Sequence, residues 1–568
     1  MPEVLRGIGV SPGTVGGPVA RMAPPPALPP PVPVSDRDAE AARAVAALTA
    51  VAADLDRRAV AAETAAPGGT SRAGTAAEIL RAQAMMAADP VLRDAVATHV
   101  ADGRDAPHAI AEALAAHREA FLAAGGYLAE RAADLDDLRD RAVAVCLGAP
   151  LPGVPDPGHP YVLIARDLSP ADTAGLDPAD VLAIVTEEGG PTSHTAILAR
   201  AAGLPAIVRC TGALGLVDGT VVGVDGGRGE LTVGVDEVGL RDLRERNRIR
   251  VARLAQSRGP GRTADGHPVA LLANVGSVRD LQGMAADAVE GVGLFRTELL
   301  YLDRSSAPTQ AEQAAAYAAV FAECPGRRVV VRTLDAGADK PLPFLSQPPE
   351  PNPALGVRGL RLARRRPDVL DTQLAALAEA AKASTADVWV MAPMVATVAE
   401  AAAFVDRCRA AGLPTAGVMV EVPAAALRAD ALAGVVDFLS IGTNDLSQYA
   451  FAADRQVGEL AELLDPWQPA LLSLIAACGD AGRRTGTPVG VCGEAAADPE
   501  LAPVLVGLGV TSLSMAPRAV AEVRLALSAH TVDDCRRAAS LALDAADASE
   551  ARALVRKAAD RRRRDHHG

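Results

Sequence analysis

Residues 416–445 read AGVMVEVPAAALRADALAGVVDFLSIGTND. Two short apolar runs, AGVMVEVP and DFLSIGTND, flank a segment long enough for a helix. Glu421 closes the first run, and Asn444 and Asp445 close the second. The unit recurs: PVALLANV, GVGLFRTE, RVVVRTLD, VWVMAPMV, VGVCGE and SLSMAPR complete a set of eight strand-like runs, most of them separated by helix-length segments. Eight is the strand count of a closed (β/α)8 barrel, whose active site lies at the C-terminal ends of its strands. Asn274, Arg296, Arg332, Glu421, Asn444, Asp445 and Cys492 all fall at strand ends, so their side chains are expected to converge on one mouth.

Upstream the character changes. LRGIGVSPGTVGGPVARM (5–22) reads as short strands with glycine turns, and a proline-rich connector follows it. Residues 36–145 are alanine-rich and helical in period, with Leu48, Val51, Leu55 and Val60 roughly in an i, i+3/i+4 rhythm. Breaks at AAPGGTSRAG, ADGRDAPH and LAAGGYLAE suggest about four packed helices. After GAPLPGVPDPGHP, the runs YVLIARDL, VLAIVTEE, AIVRC and VVGVDG return to strand character. The simplest organisation is one α/β domain built from both strand-bearing pieces, with a helical domain inserted between them. A polar helix over 236–258, with Leu240, Leu243, Val251 and Leu254 as its few apolar positions, then leads to the barrel.

The 568 residues exceed one ordinary core, which fits this division. A formal net charge of −14 argues against a general nucleic-acid or membrane-surface binder. Two basic clusters, RLARRR (361–366) and RKAADRRRR (556–564), read as a solvated helix face and a frayed terminus. Seven widely spaced cysteines form no metal motif and no disulfide framework. MPEVLRGIGVSPG lacks the apolar core of a signal peptide, and no stretch is apolar for the length of a membrane span, so a soluble, cytoplasmic protein is expected.

At the barrel mouth, Glu421 and Asp445 offer two hard oxygen ligands with no thiolate or imidazole partner, which suits Mg²⁺ or Mn²⁺. Arg296, Arg332, Arg358 and Arg455 add guanidinium forks and Lys340 a point charge, a set that fits a small, highly anionic, phosphate-bearing substrate. A second candidate lies in GGPTSHTAILARAAGLPAIV (189–208). Gly189 and Gly190 permit close backbone approach, and Pro191, Thr192 and Ser193 lead into a helix that puts His194 near its N-terminus. Free N–H groups there hold anions and disfavour imidazolium, leaving a neutral, nucleophilic ring. No triad or HExxH partner accompanies His194, so it reads as a phosphohistidine carrier. A phosphohistidine domain beside a metal-dependent, anion-binding barrel implies phosphoryl transfer between them, with the 236–258 helix as hinge.

GGPTSHTAILAR, GVGLFRTELLYLDR, RTLDAGADKPLPF, NPALGVRGLR, GVMVEVPAAA, DFLSIGTNDLSQYAFAADR and VCGEAA together resemble enzyme I of the bacterial sugar phosphotransferase system, in order along the whole chain. The resemblance implies a multidomain α/β fold: a phosphohistidine α/β domain at 1–33 and 148–235, an inserted helical domain at 34–147 that docks the carrier HPr, a linker helix at 236–259, and a phosphoenolpyruvate-binding, dimerising (β/α)8 TIM-type barrel at 260–568. It implies Mg²⁺-dependent transfer from phosphoenolpyruvate to His194 and then to HPr. Glu421 and Asp445 match metal ligands. Arg296 and Arg332 match phosphate clamps, and Asn444 and Arg455 match groups holding the carboxylate end. Arg358 and Lys340 match further cations, and Cys492 matches the acid that protonates C3 of the leaving enolate. Ser169, in ARDLSPADT, matches a hydroxyl contacting the histidine, and Thr192 and Thr195 flank that histidine as supporting positions. The helical domain departs most, with Gln83 where many members carry histidine. Cys492 must be a protonated thiol for this role, so a cation close enough to ionise it is not expected.

Three other readings are weaker. A dikinase or synthase needs an ATP-binding domain for which no glycine-rich region or spare length exists, and a nitrogen-type paralogue would carry an additional N-terminal sensory domain. A non-catalytic metabolite-sensing regulator would tolerate loss of His194, Glu421 or Asp445, and all three are present.

Overall fold

The computed structural model describes residues 3–23, 25–64, 71–124, 132–168, 176, 179–190, 193–282, 285, 287–302, 304, 306–337, 342, 344, 345, 348, 350–454, 457 and 460–565. Within its helices, the side chains of 61–64, 71–79, 124, 132, 133, 194, 197, 201 and 563–565 fall outside this description. The chain divides into two units, Met1–Arg248 and Ile249–Gly568.

The first unit carries an eight-stranded sheet: β1 (Val4–Arg6), β2 (Ile8–Ser11), β3 (Thr14–Arg21), β4 (Tyr161–Ala165), β5 (Val181–Thr186), β6 (Ala206–Val208), β7 (Val221–Asp225) and β8 (Glu230–Val233). Their order is β1-β8-β7-β3-β4-β5-β6-β2. Strand β3 joins the two sequence pieces, antiparallel to β7 and parallel to β4. Strand β8 is an element that the apolar-run reading did not pick out. Gly16 and Gly223 are register partners on β3 and β7. A Cβ on Gly16 would sit 2.3 Å from Leu240 Cδ2, and one on Gly223 would sit 2.7 Å from Leu243 Cδ1. The bare backbone is therefore the seat for the start of the helix Glu237–Gln256, and the unit boundary falls inside that helix.

The insert contains five described helices: Arg37–Thr64, Ser71–Ala88, Pro90–Ala101, Ala106–Ala124 and Ala132–Leu147. Leu48, Val51, Leu55, Val96, Ile110, Leu114 and Leu138 meet in its core. The rhythm expected to continue at Val60 turns one residue earlier. Ala59 is fully buried and Val60 is 54% exposed, because i+4 from Leu55 is Ala59. The helix beyond the expected count arises at Asp89–Pro90. Asp89 caps the backbone N–H of Val91 at 2.8 Å, and Pro90 takes the first helical position, where no N–H is needed. The breaks expected within 65–70 and 125–131 lie outside the described residues.

The second unit is a closed barrel of parallel strands: β9 (Ala270–Val275), β10 (Gly291–Arg296), β11 (Arg328–Arg332), β12 (Asp387–Ala392), β13 (Thr415–Val420), β14 (Leu439–Gly442), β15 (Val489–Cys492) and β16 (Ser512–Met515). Each falls on one of the eight expected runs, β12 and β13 starting one residue before theirs. β16 pairs with β9 to complete the circuit. The two-residue strand period sorts the side chains. Val329, Val331, Val418, Val420, Leu439, Ile441 and Leu513 face the helical shell. Leu294, Val330, Met391, Met419, Phe438 and Cys492 fill the interior together with Trp389. Near the N-terminal ends of the strands, the Trp389 and Phe438 rings lie 4.8 Å apart, and the Arg328 guanidinium sits 3.9 Å above the Trp389 ring.

The basic tail is held down more than its sequence implies. Within the helix Ala548–Asp565, Arg552 pairs with Asp465 at 3.2 Å, Arg556 with Glu500 at 2.8 Å, and Arg562 with Asp534. The 361–366 cluster is largely solvent-facing, with Arg364 on Glu400 and Arg366 on Asp368, both at 2.7 Å.

Candidate active site

The strand period that sends Val331, Val420 and Val491 outward sends Arg332, Glu421 and Cys492 inward at the C-terminal ends of β11, β13 and β15. Arg332 Nη1 lies 3.6 Å from Glu421 Oε1, and Arg332 Nη2 donates to Glu298 Oε1 at 3.1 Å and lies 3.5 Å from Asp335 Oδ2. Arg358 is 1% exposed. It forks onto Asp335, with Nη2 to Oδ2 at 2.9 Å and Nε to Oδ1 at 3.3 Å. Its Nη1 reaches Asp445 Oδ1 at 3.3 Å and the Tyr449 hydroxyl at 3.4 Å. One buried cluster thus gathers Arg332, Glu421 and Asp445, which the sequence places at strand ends, with Arg358, which it does not, and adds Glu298 and Asp335 as counter-charges.

Glu421 is 1% exposed, and its Oε2 accepts the backbone N–H of Met394 at 2.8 Å. Met394 adopts φ +59°, a left-handed conformation uncommon for a long side chain. The other flank needs a glycine: a Cβ on Gly442 would meet Glu421 Cγ at 2.8 Å. Burial, followed by the Asp335 and Asp445 carboxylates, raises the pKa of Glu421, and Arg332 and the Met394 N–H oppose this without cancelling it. Burial works against the Arg332 charge, but Glu298, Asp335 and Glu421 outweigh it and raise its pKa.

Cys492 is 3% exposed and donates its thiol to the Ile441 carbonyl at 3.4 Å. Burial first and Glu421 second push its pKa up to about 12, while Arg332 pulls the other way. A cation is therefore nearby, yet the thiol stays protonated. Asn444 donates to Glu494, and Asn274 accepts from Ser514 on the neighbouring strand. Arg296 is exposed at the end of β10, and its side chain makes no ion pair or hydrogen bond among the described residues. Lys340 and Arg455 lie outside the described residues.

Two carboxylates on neighbouring strand ends, one of them strained by like charge, form a donor set that a hard divalent cation would relieve. Among the described residues no group of three or more His, Cys, Asp or Glu side chains surrounds one ion position.

In the first unit, His194 is the first residue of the helix His194–Ala202. Ser193 caps that helix, its Oγ accepting the Ala196 N–H at 3.3 Å. Thr195 is fully buried and donates to Asp167 Oδ1 at 2.9 Å. Arg209, itself at φ +54°, donates from Nε to the Gly189 carbonyl at 3.1 Å. The His194 side chain, Ser169 and Thr192 lie outside the described set. In the insert, Gln83 is 1% exposed and donates to Asp134 Oδ1 at 3.0 Å, tying two of its helices.

Three family models match the chain: "PEP-utilising enzyme, N-terminal" over 6–131, "PEP-utilising enzyme, mobile domain" over 157–229, and "PEP-utilising enzyme, PEP-binding domain" over 252–532. With the closed barrel they define a phosphoenolpyruvate (PEP)-utilising enzyme. The chain is 53% identical to a phosphoenolpyruvate-protein phosphotransferase of Streptomyces coelicolor over 97% of this chain and 98% of that one. It is 42% identical to one of Haloferax volcanii over 80% of this chain and 82% of that one. A Bacillus subtilis relative of the same name is 37% identical, again over 80% and 82%. The chain belongs to the phosphoenolpyruvate-protein phosphotransferase family, and it is a phosphotransferase.

Proposed function

We propose that the protein transfers the phosphoryl group of phosphoenolpyruvate to His194 and from there to a histidine of the carrier HPr, as the first step of sugar uptake by the phosphotransferase system. The reading rests above all on the buried cluster in which Arg332 stands 3.6 Å from Glu421 and Arg358 stands 3.3 Å from Asp445, beside the Cys492 thiol. In the first half-reaction the P–O bond of phosphoenolpyruvate breaks and a P–N bond forms on the imidazole. The enolate takes a proton at C3 from Cys492, and pyruvate leaves. Arg296 and Arg332 clamp the phosphoryl oxygens, and Asn444 and Arg455 hold the carboxylate. Arg358 fixes Asp445, and Lys340 adds positive charge. Transfer of this kind depends mostly on positioning and on neutralising equatorial oxygens, which guanidinium groups supply.

Glu421 and Asp445 would hold the Mg²⁺ (Mn²⁺ as a substitute), which neutralises phosphoryl charge when bound. Among the described mouth residues, Arg296, Arg332 and Arg358 stand with Glu298, Asp335, Glu421, Asp445 and Glu494. Lys340 and Arg455, assigned to the same mouth, bring cations and carboxylates to equal numbers, and a divalent ion would supply the surplus positive charge that a trianion calls for.

The roles go with the divisions 1–33 and 148–235 (phosphohistidine domain), 34–147 (HPr docking), 236–259 (linker) and 260–568 (phosphoenolpyruvate binding and homodimerisation). Ser169, Thr192 and Thr195 support the histidine. No described helix is long and apolar enough to cross a membrane, and a cytoplasmic location agrees with the proposed substrate and carrier. The test is incubation with labelled phosphoenolpyruvate and Mg²⁺. The expected product is an acid-labile, base-stable label on the protein that His194→Ala abolishes and that HPr discharges. Label persisting in His194→Ala overturns the assignment.

A further inference from the structure

The ends of β10 and β11 carry Arg296, Glu298, Arg332 and Asp335, and a side chain from the outer helical shell reaches in to tie them together. Gln373, on the helix Pro367–Lys382, is fully buried. Its Oε1 accepts the Leu334 backbone N–H at 2.9 Å, and its Nε2 donates to Thr297 Oγ1 and to the Tyr317 hydroxyl, both at 3.1 Å. A backbone N–H only donates, so the carboxamide oxygen must face Leu334 and the amide nitrogen must face the two hydroxyls.

Both hydroxyls have spent their own protons elsewhere. Thr297 donates to the Arg332 carbonyl at 2.9 Å. Tyr317 donates to Gln313 Oε1 at 3.1 Å, which also accepts from Tyr301 at 2.8 Å, while Gln313 Nε2 donates to the Pro308 carbonyl at 3.0 Å. The direction of every bond is therefore set, and one carboxamide bridges residues 297 and 334. Glu298, next to Thr297, receives both the Arg332 guanidinium and the Asp335 N–H at 3.1 Å. Asp335, next to Leu334, carries Arg358.

We infer that Gln373 is a positioning residue for phosphoenolpyruvate, holding the β10 and β11 ends in the register that aims Arg332 and its counter-charges at the mouth. The inference rests on the proposed role of Arg332. An isosteric carboxylate or carboxyl group cannot donate to both hydroxyls, so Gln373→Glu breaks the bridge while conserving volume.

The experiment is phosphoenolpyruvate–pyruvate isotope exchange by the full chain with Mg²⁺, which reads the first half-reaction alone. Gln373→Glu and Thr297→Val are expected to raise the KM for phosphoenolpyruvate about tenfold and to lower the maximal rate by less than about threefold. Tyr317→Phe keeps the Thr297–Leu334 bridge; it should lower thermal stability but leave KM within about twofold of wild type. Thr297→Val removes only a hydroxyl and serves if Gln373→Glu does not fold. Unchanged KM in Thr297→Val, or an equal rise in Tyr317→Phe, overturns the inference. Arg332→Ala in the same assay separates the causes. If it raises KM while the bridge variants do not, only the role of Gln373 falls; if it leaves KM unchanged, the role of Arg332 falls and this inference with it.

Discussion

Arg358 and Asp335 form a forked ion pair, 2.9 and 3.3 Å in its two arms, in which neither side chain is more than 1% exposed. A buried guanidinium is tolerated only where its charge and its N–H groups are met. Asp335 meets two of those groups, and Asp445 takes another at 3.3 Å. The fork therefore holds the arginine that in turn steadies a proposed metal ligand.

Removing one charge from that fork should be costly. Asp335→Asn is expected to lower the unfolding free energy by about 3 kcal/mol, measured by urea denaturation of the barrel transition. A loss below about 0.5 kcal/mol would mean that Asp445 alone suffices for Arg358.

Cys492 should behave as an acid rather than as a nucleophile. With its pKa at about 12, the thiol stays protonated as pH rises from neutrality into the mildly alkaline range. Iodoacetamide should modify it far more slowly than an unstructured cysteine at the same alkaline pH, by mass spectrometry of the folded protein. Cys492→Ala should slow pyruvate formation without changing thermal stability by more than a few degrees. Rapid alkylation, or an unchanged pyruvate rate, would remove the thiol from the reaction.

Crowded carboxylates predict a stabilising response to metal. Mn²⁺ at about a hundred times its dissociation constant should stabilise the protein by about 2.7 kcal/mol, read as a rise in Tm. Because Glu421 is raised, it holds a proton to higher pH than an ordinary glutamate, so metal affinity should increase as pH rises and that proton is released. Glu421→Gln should erase the Mn²⁺ response, and a full response in that variant would place the ion elsewhere.

The barrel could be read from sequence because its strands are apolar, β-branched runs at helix-length intervals, and the mouth because Arg332, Glu421, Asp445 and Cys492 are polar residues at strand ends. What escaped that reading escaped for physical reasons. Met394 contributes only a backbone N–H, presented by a left-handed conformation that its side-chain chemistry does not announce. Gln373 sits in PDVLDTQLAALAEAAK, where a polar residue reads as solvent-facing; only the fold shows that it points inward. Glu298 and Asp335 stand inside the quoted motifs, but a carboxylate's pairing depends on where the arginine rotamers go. The Asp89–Pro90 boundary has a signal, a capping residue directly before a proline, that reads as an acidic turn after a helix but does not enter the count of about four helices.

Trp389, Phe438 and Arg328 pack together at the N-terminal ends of the strands, the end of the barrel opposite the proposed site. Reactant and product that both use the C-terminal mouth take turns in it. Pyruvate held there would compete with the next phosphoenolpyruvate molecule for the same cations.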